Sequence, residues 1–346
     1  MPFIALEHNN LFALEAYGYD LPEDLIAQHP ARARDAARLL VIDRKDESVR
    51  NDEFANIGHY LPPETLLVVN NSKVVPARLL GRKSKTGGEV EIFLLKALED
   101  GYCFEALLRP LKKIREGELM EFGHGITAVL MDKAQRIVRF NKKNIMRYLK
   151  GTGHMPLPPY IKRSDTQSDH IDYQTVYARH LGSVASPTAG LHFTRPLMSR
   201  LTACGHTFKE LTLHIGYGTF KPVECADIRR HAMHTESYAL SKAAYQTIGQ
   251  ARSGNRPIAA VGTTSCRVLE SAARTGILKG ETDIFIYPGH EFKAVNALIT
   301  NFHLPHSTLL MLVCAFGGYD LIRRAYQEAI KERYRFYSYG DAMLIL

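Results

Sequence analysis

The spacing of hydrophobic residues changes along the chain and predicts two kinds of structure. Between Leu66 and Phe140, short segments rich in Val, Ile and Leu alternate with glycine-containing turns. The segments are LLVV (66–69), VVPARLLGR (74–82), EVEIFLLKAL (89–98), YCFEALLRP (102–110), ITAVLM (126–131) and RIVRF (136–140). Short strands at this spacing are typical of a small antiparallel β-barrel. We therefore predict an inserted barrel domain over residues 65–150.

From about residue 170, predicted strands and helices alternate instead. The predicted strands are 208–215, 257–261 and 283–287, and the predicted helices are 194–203, 241–253, 265–274, 307–316 and 319–331. Shorter helices are predicted at 22–28 and 144–150. Strand–helix alternation favours an α/β fold with a largely parallel sheet. An earlier strand at 39–42 has no other partner, so residues 1–64 and 151–346 are predicted to form one discontinuous α/β domain around the barrel.

Composition excludes several classes of protein. The 346 residues are 45% hydrophobic and 23% charged, which is typical of globular proteins. The longest apolar run, Leu309–Phe316, is far shorter than the ~20 residues of a membrane helix. The first residues, MPFIALEHNN, lack the features of a secretory signal. Five cysteines without a CxxC pair favour reduced thiols. We expect a cytoplasmic protein without a membrane partner and, among oligomeric states, favour a monomer.

Positive charge is concentrated in the barrel segment. The net charge is +8, and residues 65–164 hold 19 Lys and Arg against 9 Asp and Glu. The rest of the chain is close to neutral, with 25 basic and 27 acidic residues. Such concentration favours a polyanion such as nucleic acid, although a solvated basic face would look the same. The candidate phosphate contacts are Arg78, Arg82, Lys83, Lys85, Lys112, Lys113, Lys142 and Lys143.

Polar loops follow four predicted strands, where ligands bind in α/β sheets. The first loop runs from Gly262 into a helix, whose free N–H groups and dipole favour a phosphate or carboxylate. An ordinary helix cap is the alternative. The loop lacks the P-loop lysine and the GxGxxG pattern, so ATP and NAD are not implied. Its candidate ligand-binding residues are Thr263, Thr264, Ser265, Arg267 and Glu270.

Three further loops contain histidines. In residues 183–194, Thr188, Gly190 and His192 could line a site, unless the loop is merely buried and needs small residues. In residues 211–223, His214 precedes Tyr217, an aromatic residue that could stack on a base; a β-bulge is the alternative. Its flanking glycines, Gly216 and Gly218, are candidate binding residues. In residues 298–312, His303 is a candidate acid or base, although a lone histidine is usually structural.

One short motif contains two possible metal ligands but lacks the other features of a metal site. The sequence HAMH at 231–234 could put two histidines on one helical face. It contains no HExxH pattern, and no carboxylate stands at a typical spacing. No metal is predicted.

Taken together, these segments resemble one family, the S-adenosylmethionine:tRNA ribosyltransferase-isomerases of queuosine biosynthesis. The resemblance extends from LPEDLIAQHP to the C-terminus. Its motifs are NNSKVVPARLLGRK, GGEVEIFLL, GHMPLPPYI, YQTVYA, PTAGLHFT, LHIGYGTF, HAMHTE, VGTTSCRVLES, FIYPGHEFK, TNFHLPHSTLLMLV and YRFYSYGDAMLIL. There are small departures. The first dozen residues form an extension, His306 stands where a lysine or similar base is expected, and Ser186 stands where alanine is usual.

The resemblance implies a reaction and a site. Such enzymes transfer the ribosyl part of S-adenosylmethionine to 7-aminomethyl-7-deazaguanine at the tRNA wobble position, giving epoxyqueuosine, adenine and methionine. S-Adenosylmethionine would be a consumed co-substrate, and no cofactor or metal is implied. The four loops would bind it, and His192, His214 and His303 are the candidates for proton transfer. Tyr217, Asp283 and Glu236 are the next candidates for a base.

Two other functions would fit parts of the sequence. A non-catalytic RNA-binding protein would explain the basic barrel but not four polar strand-end loops. An ordinary methyltransferase would usually carry a glycine-rich loop after the first strand of a Rossmann sheet, and no such arrangement is found.

Overall fold

A computed structural model describes residues 10–216, 218 and 223–346 of the chain. Most of the predicted N-terminal extension, Tyr217 and residues 219–222 lie outside the described residues. The described chain forms a nine-stranded sheet, a closed six-stranded barrel and a separate two-stranded sheet.

The nine-stranded sheet contains strands from both ends of the chain. In spatial order they are β15 (Lys279–Thr282), β13 (Glu236–Ala239), β12 (Thr207–Leu213), β3 (Leu66–Asn70), β14 (Ile258–Val261), β16 (Ala297–Asn301), β17 (Ala342–Ile345), β1 (Arg38–Asp43) and β2 (Ser48–Glu53). The predicted strands at 39–42, 208–215 and 257–261 are confirmed as β1, β12 and β14.

The prediction of a largely parallel sheet is wrong, because the sheet is mixed. Four neighbouring pairs are parallel: β12–β3, β3–β14, β14–β16 and β17–β1. The other four are antiparallel: β1–β2, β12–β13, β13–β15 and β16–β17. One crossover helix returns the chain to the end where a strand began, which makes the next strand parallel. Two helices in succession separate β16 from β17, so β17 begins at the opposite end.

The barrel confirms the antiparallel insertion but begins later than predicted. Its strands are, in order around the barrel, β10 (Ile137–Phe140), β7 (Cys103–Arg109), β6 (Glu89–Ala97), β5 (Arg78–Lys83), β8 (Leu119–Glu121) and β9 (Thr127–Asp132). Alternate residues of β6 and β7 are buried, as a packed barrel requires. Residues 66–69 were predicted as a barrel strand, but β3 is buried on both faces and lies in the large sheet.

Helices cover both faces of the large sheet. They are α1 (Asp169–Asp172), α2 (Arg195–Ala203), α3 (Lys242–Ser253), α4 (Thr263–Thr275), α5 (Thr308–Gly317) and α6 (Tyr319–Lys331). Along β3, Leu66 and Val68 pack with residues of α3 to α6, whereas Leu67 and Val69 pack with residues of α2. The two-residue alternation of a strand therefore builds a separate core on each face.

Local signals predict most helices but not every short element. The Thr194 hydroxyl accepts a hydrogen bond from the Leu197 amide at 3.2 Å and caps α2, as predicted. The helix predicted at 22–28 is one short 3₁₀ turn instead, and the helix predicted at 144–150 is two. The strand predicted at 283–287 is wrong, because pairing with β13 ends at Thr282. In the small sheet, β4 (Ser72–Val74) pairs with β11 (His180–Ser183). Within the described ranges, no helix is long and apolar enough to cross a bilayer.

Candidate active site

A cleft lies where β14 and β16 end, and residues of all four predicted loops line it, the loop at 211–223 through Ile215. These strands are parallel neighbours, so their carboxyl ends meet at one edge of the sheet. The cleft encloses about 670 Å³ of empty space, its open mouth included. The loop residues that line it are 185–189, 262–264 and 300–304, joined by Tyr160, Tyr173, Ile215, Ser307, Leu309, Tyr337 and Ser338.

The loop after β14 brings two hydroxyls to the cleft. Gly262 has φ +90°, a backbone conformation that favours glycine, and it begins α4 directly after the strand. Thr263 and Thr264 follow it, are largely buried and line the cleft. These predicted binding residues are therefore placed together at the start of a helix.

Other predicted binding residues of this loop do not line the cleft. Ser265 is fully buried and does not line it. Arg267 is also buried and forms an ion pair with Glu236 on β13, while its Nε donates to the Ile284 carbonyl at 3.2 Å. Arg267 thus stabilises the protein interior, and Glu236, a reserve candidate for a base, is its partner.

Glu270 anchors a loop within the protein. Its carboxylate accepts hydrogen bonds from the amides of Lys293 and Ala294, each at 2.9 Å, and from Val295 at 3.2 Å. These bonds and nearby His290 hold the pKa of Glu270 below its usual value, despite the opposing effect of burial. The carboxylate therefore stays charged and serves the fold.

In the loop before α2 as well, some of the predicted residues line the cleft and others do not. Thr188 lines the cleft. Gly190 does not line the cleft. A side chain at this position would collide with the Tyr177 hydroxyl. Glycine at 190 therefore serves close packing, as the buried-loop alternative supposed.

His192 lies behind the cleft. It is buried and stacks at a tilt on Phe54 with ring centroids 5.0 Å apart. Its Nε2 lies 3.0 Å from the Asn301 amide nitrogen. Burial lowers the pKa of His192 to about 4, so the ring is neutral at neutral pH.

His303 is the histidine among the three candidates that lines the cleft. Its Nε2 lies 2.7 Å from the Thr300 hydroxyl, and its backbone amide donates to the Tyr326 hydroxyl. Burial lowers the pKa of His303 to about 3. The ring is therefore neutral and presented beside a hydroxyl at the end of β16.

His214 lies in a different polar cluster. Its Nδ1 is 2.9 Å from the Ser72 hydroxyl, which is 2.5 Å from the Ser183 hydroxyl. Burial lowers the pKa of His214, and His180 lowers it further. Nearby, the Gly216 amide donates to Glu236 at 3.0 Å. Gly218 packs closely against the His234 ring.

Sequence reasoning missed several cleft residues. Asn301 is 2% exposed, and Ser186 is largely buried. Each has a buried side-chain oxygen, Asn301 Oδ1 and Ser186 Oγ, without a hydrogen-bond partner among the described residues. The position of Asn301 at a strand end was visible in the sequence. Nothing local indicated which atom of its amide would remain unpaired.

The cleft has a mostly apolar lining with several polar groups and, among the residues that the structure describes, no charged side chain. Its side chains are hydroxyls, an amide, neutral His303 and apolar groups. An uncharged lining suits a neutral ligand portion, because a buried charge needs a partner. In the same part of the chain, no group of three or more His, Cys, Asp or Glu side chains could hold a metal ion.

The predicted basic residues divide into paired and exposed groups. Arg78 pairs with Glu91 at 3.1 Å, and Lys83 with Glu118 at 3.2 Å. Lys142 donates to the His124 carbonyl at 3.2 Å. The exposed members of the set are Arg82, Lys85, Lys112, Lys113 and Lys143. Because Lys83 also bonds the Lys113 carbonyl, the turns that carry Lys85 and Lys113 lie side by side.

Comparisons with known proteins agree with one another. Residues 14–345 match the family described as "Queuosine biosynthesis protein". The chain is 49% identical to the S-adenosylmethionine:tRNA ribosyltransferase-isomerase of Nitratidesulfovibrio vulgaris (strain DP4), over 96% of this chain and 97% of the relative. It is 46% identical to the enzyme of that name from Sulfurihydrogenibium sp. (strain YO3AOP1), over 96% and 99%.

A solved structure is similar as well. The crystal structure of S-adenosylmethionine tRNA ribosyltransferase from Thermotoga maritima matches with a TM-score of 0.56 and 38% identity. The match covers 96% of this chain and all of that one. With near-complete coverage at these identities, the chain belongs to the S-adenosylmethionine:tRNA ribosyltransferase-isomerase family of queuosine biosynthesis.

Proposed function

We propose that this protein transfers and isomerises the ribosyl moiety of S-adenosylmethionine onto 7-aminomethyl-7-deazaguanine at the wobble position of tRNA. The products are epoxyqueuosine-tRNA, adenine and methionine. The observation that carries the proposal is family membership across residues 14–345, which include both the cleft and the basic barrel.

The cleft supports the donor half of this proposal. An adenosyl group is neutral, with a flat base and two ribose hydroxyls. The cleft offers apolar and aromatic side chains beside the hydroxyls of Thr188, Thr263 and Thr264. Such a lining suits a nucleoside. We propose that the adenosyl group binds there.

His303 is the proposed participant in proton transfer. The sulfonium of the donor acidifies the adjacent C5′ proton, and departing adenine needs a proton or a hydrogen bond. Of the three candidate histidines, His303 lines the cleft, and its neutral ring can accept a proton or a hydrogen bond. Its lowered pKa makes the His303 ring a weak base by itself. The proposal therefore includes the Thr300 hydroxyl, which is hydrogen-bonded to the ring.

The direct test is incubation with S-adenosylmethionine and tRNA that carries the deazaguanine precursor, followed by mass analysis of the modified nucleoside. We expect epoxyqueuosine together with free adenine and methionine. A methylated tRNA would indicate a methyltransferase instead. Binding of tRNA without consumption of S-adenosylmethionine would indicate a non-catalytic RNA-binding protein.

Replacement of His303 by asparagine is expected to lower turnover by about 10²–10⁴-fold, the usual contribution of a general acid or base. Binding of S-adenosylmethionine should persist, because asparagine retains polar atoms in the cleft. The diagnostic measurement is exchange of the donor C5′ protons with deuterated solvent, which should stop if His303 takes part in proton removal. The matched control is His206→Asn, a buried histidine just before the amino end of β12. If His303→Asn turns over within threefold of the parent, the proton-transfer role belongs to another residue.

The basic barrel supports the tRNA half of the proposal. Replacing exposed Arg82 and Lys85 by alanine should weaken tRNA binding. It should also reduce the salt dependence of log affinity by about 0.7–0.9 for each phosphate contact removed. Lys83 is left in place because its ion pair with Glu118 supports the barrel. Alanine at Lys242 and Lys279, exposed in the other domain, gives the same charge change as a control. Equal tRNA affinities in both variants would make this barrel face a solvated surface.

A further inference from the structure

The side-chain amide of Asn301 has one possible orientation in the hydrogen-bond network. Its Nδ2 lies 3.2 Å from the backbone carbonyl oxygen of Asp341. A carbonyl can only accept, so the atom that faces it must be the nitrogen. The amide oxygen therefore points away from Asp341.

His192 reinforces this orientation. Asn301 Nδ2 also lies 3.0 Å from His192 Nε2. Since Nδ2 can only donate, His192 Nε2 must be an unprotonated acceptor. The lowered pKa of His192 agrees, because burial keeps the ring neutral. Both N–H groups of the Asn301 amide are thus used by the protein.

The amide oxygen is left without a partner. Asn301 lines the cleft and is nearly fully buried, and its Oδ1 has no hydrogen-bond partner among the residues that the structure describes. A buried acceptor without a partner is unfavourable and rare in folded proteins. A ligand donor that reached this oxygen from the cleft would satisfy it.

We propose that Asn301 Oδ1 is a specificity-determining acceptor for an N–H or O–H group on the nucleoside half of S-adenosylmethionine, and that His192 is the positioning residue that holds it. This inference rests on the proposed function. The uncharged lining favours the nucleoside over the charged methionine end. An asparagine with both amide atoms free can donate and accept, whereas Asn301 can only accept. It would select donors such as the adenine 6-amino group or a ribose hydroxyl, and it would reject a 6-oxo group.

The test removes one donor at a time from a ligand that does not react. Calorimetry would compare S-adenosylhomocysteine with its inosyl, 2′-deoxy and 3′-deoxy analogues, using the wild-type enzyme and Asn301→Ala. We expect one change to weaken wild-type binding by about 5- to 150-fold, the cost of leaving a buried polar group unpaired. The same change should cost Asn301→Ala less than about twofold. The analogue that shows this coupling identifies the donor as the base or the ribose.

The control and a second variant keep the result interpretable. Asn296→Ala removes an asparagine whose Oδ1 accepts from the Ile258 amide at 2.9 Å, at the opposite end of β16. It should retain the wild-type preference. If Asn301→Ala does not fold, Asn301→Ser keeps a hydroxyl that can donate to the Asp341 carbonyl but lacks the amide oxygen, so it should lose the preference among analogues as Asn301→Ala does. Equal losses in the wild type and Asn301→Ala, or no loss for any analogue, would overturn the inference.

His192 has its own readout. Glutamine at 192 can keep an acceptor near the position of Nε2, whereas alanine cannot. His192→Gln should therefore retain the preference among analogues, and His192→Ala should reduce it, because only the Asp341 carbonyl would then hold the Asn301 amide. If both variants keep the wild-type preference among analogues, His192 has no part in the proposal. If the wild-type enzyme releases no adenine from S-adenosylmethionine with its tRNA substrate, the proposed function fails. If adenine is released but no analogue shows coupling with Asn301→Ala, only the inference about Asn301 fails.

Discussion

Replacement of Arg267 by alanine is expected to lower the free energy of unfolding by about 3–5 kcal/mol, the usual cost of breaking a buried ion pair from one side. Arg267 and Glu236 are both nearly fully buried, so the variant leaves the Glu236 carboxylate without its counter-charge. Glu236 also accepts the Gly216 amide, so the variant should disturb that hydrogen bond too. Urea unfolding measures the loss.

Two further variants separate the ion pair from other effects of substitution. Arg324→Ala breaks an exposed pair with Glu47 and should cost less than about 1 kcal/mol. Arg267→Met combined with Glu236→Gln removes both charges but keeps an acceptor for Gly216. This double variant should recover much of the stability that Arg267→Ala loses. A fully stable Arg267→Ala protein with weakened S-adenosylmethionine binding would instead return Arg267 to the ligand-binding role predicted from sequence.

Acid should destabilise the protein well before its carboxylates titrate. The pKa values of His192 and His303 fall from about 6.5 to about 4 and about 3 on folding, because both rings are desolvated. Between pH 6.5 and about 4, the unfolded chain therefore binds protons that the folded chain does not. The free energy of unfolding should fall with pH in this range, approaching about 1.4 kcal/mol per pH unit for each histidine. At pH 4.5 the two together would cost roughly 5 kcal/mol.

Urea unfolding at several pH values between 5 and 6.5 tests this expectation. Above about pH 7.5 both rings are neutral in either state, so their contribution to the pH dependence should vanish. Between pH 5 and 6, His303→Asn should lower the slope of the free energy of unfolding against pH by about 1.4 kcal/mol per pH unit, which corresponds to one proton. His192→Gln should do the same. A wild-type slope near zero in this window would mean that the folded protein accommodates both imidazolium ions.

Several features of this protein could be predicted from its sequence because they depend on residues close together in the chain. Alternating apolar residues predicted the barrel strands, and Thr194 predicted the cap of α2. The glycine at 262, with hydroxyls after it, predicted a polar helix start at a strand end. The many family motifs indicated the family that the comparisons identify.

The tertiary structure decided which polar groups are left for a ligand. Arg267 follows the cleft loop in sequence, but in the fold it forms a buried ion pair with Glu236, 31 residues away. His192 has the sequence context of a catalytic histidine, yet Asn301, 109 residues away, uses its lone pair. Strand direction follows the same rule, since β17 is antiparallel to β16 only because α5 and α6 both intervene. Local sequence indicates most of the elements that form. Hydrogen bonds and charges, however, are satisfied by whatever the fold brings within about 3 Å, and that is set by distant parts of the chain.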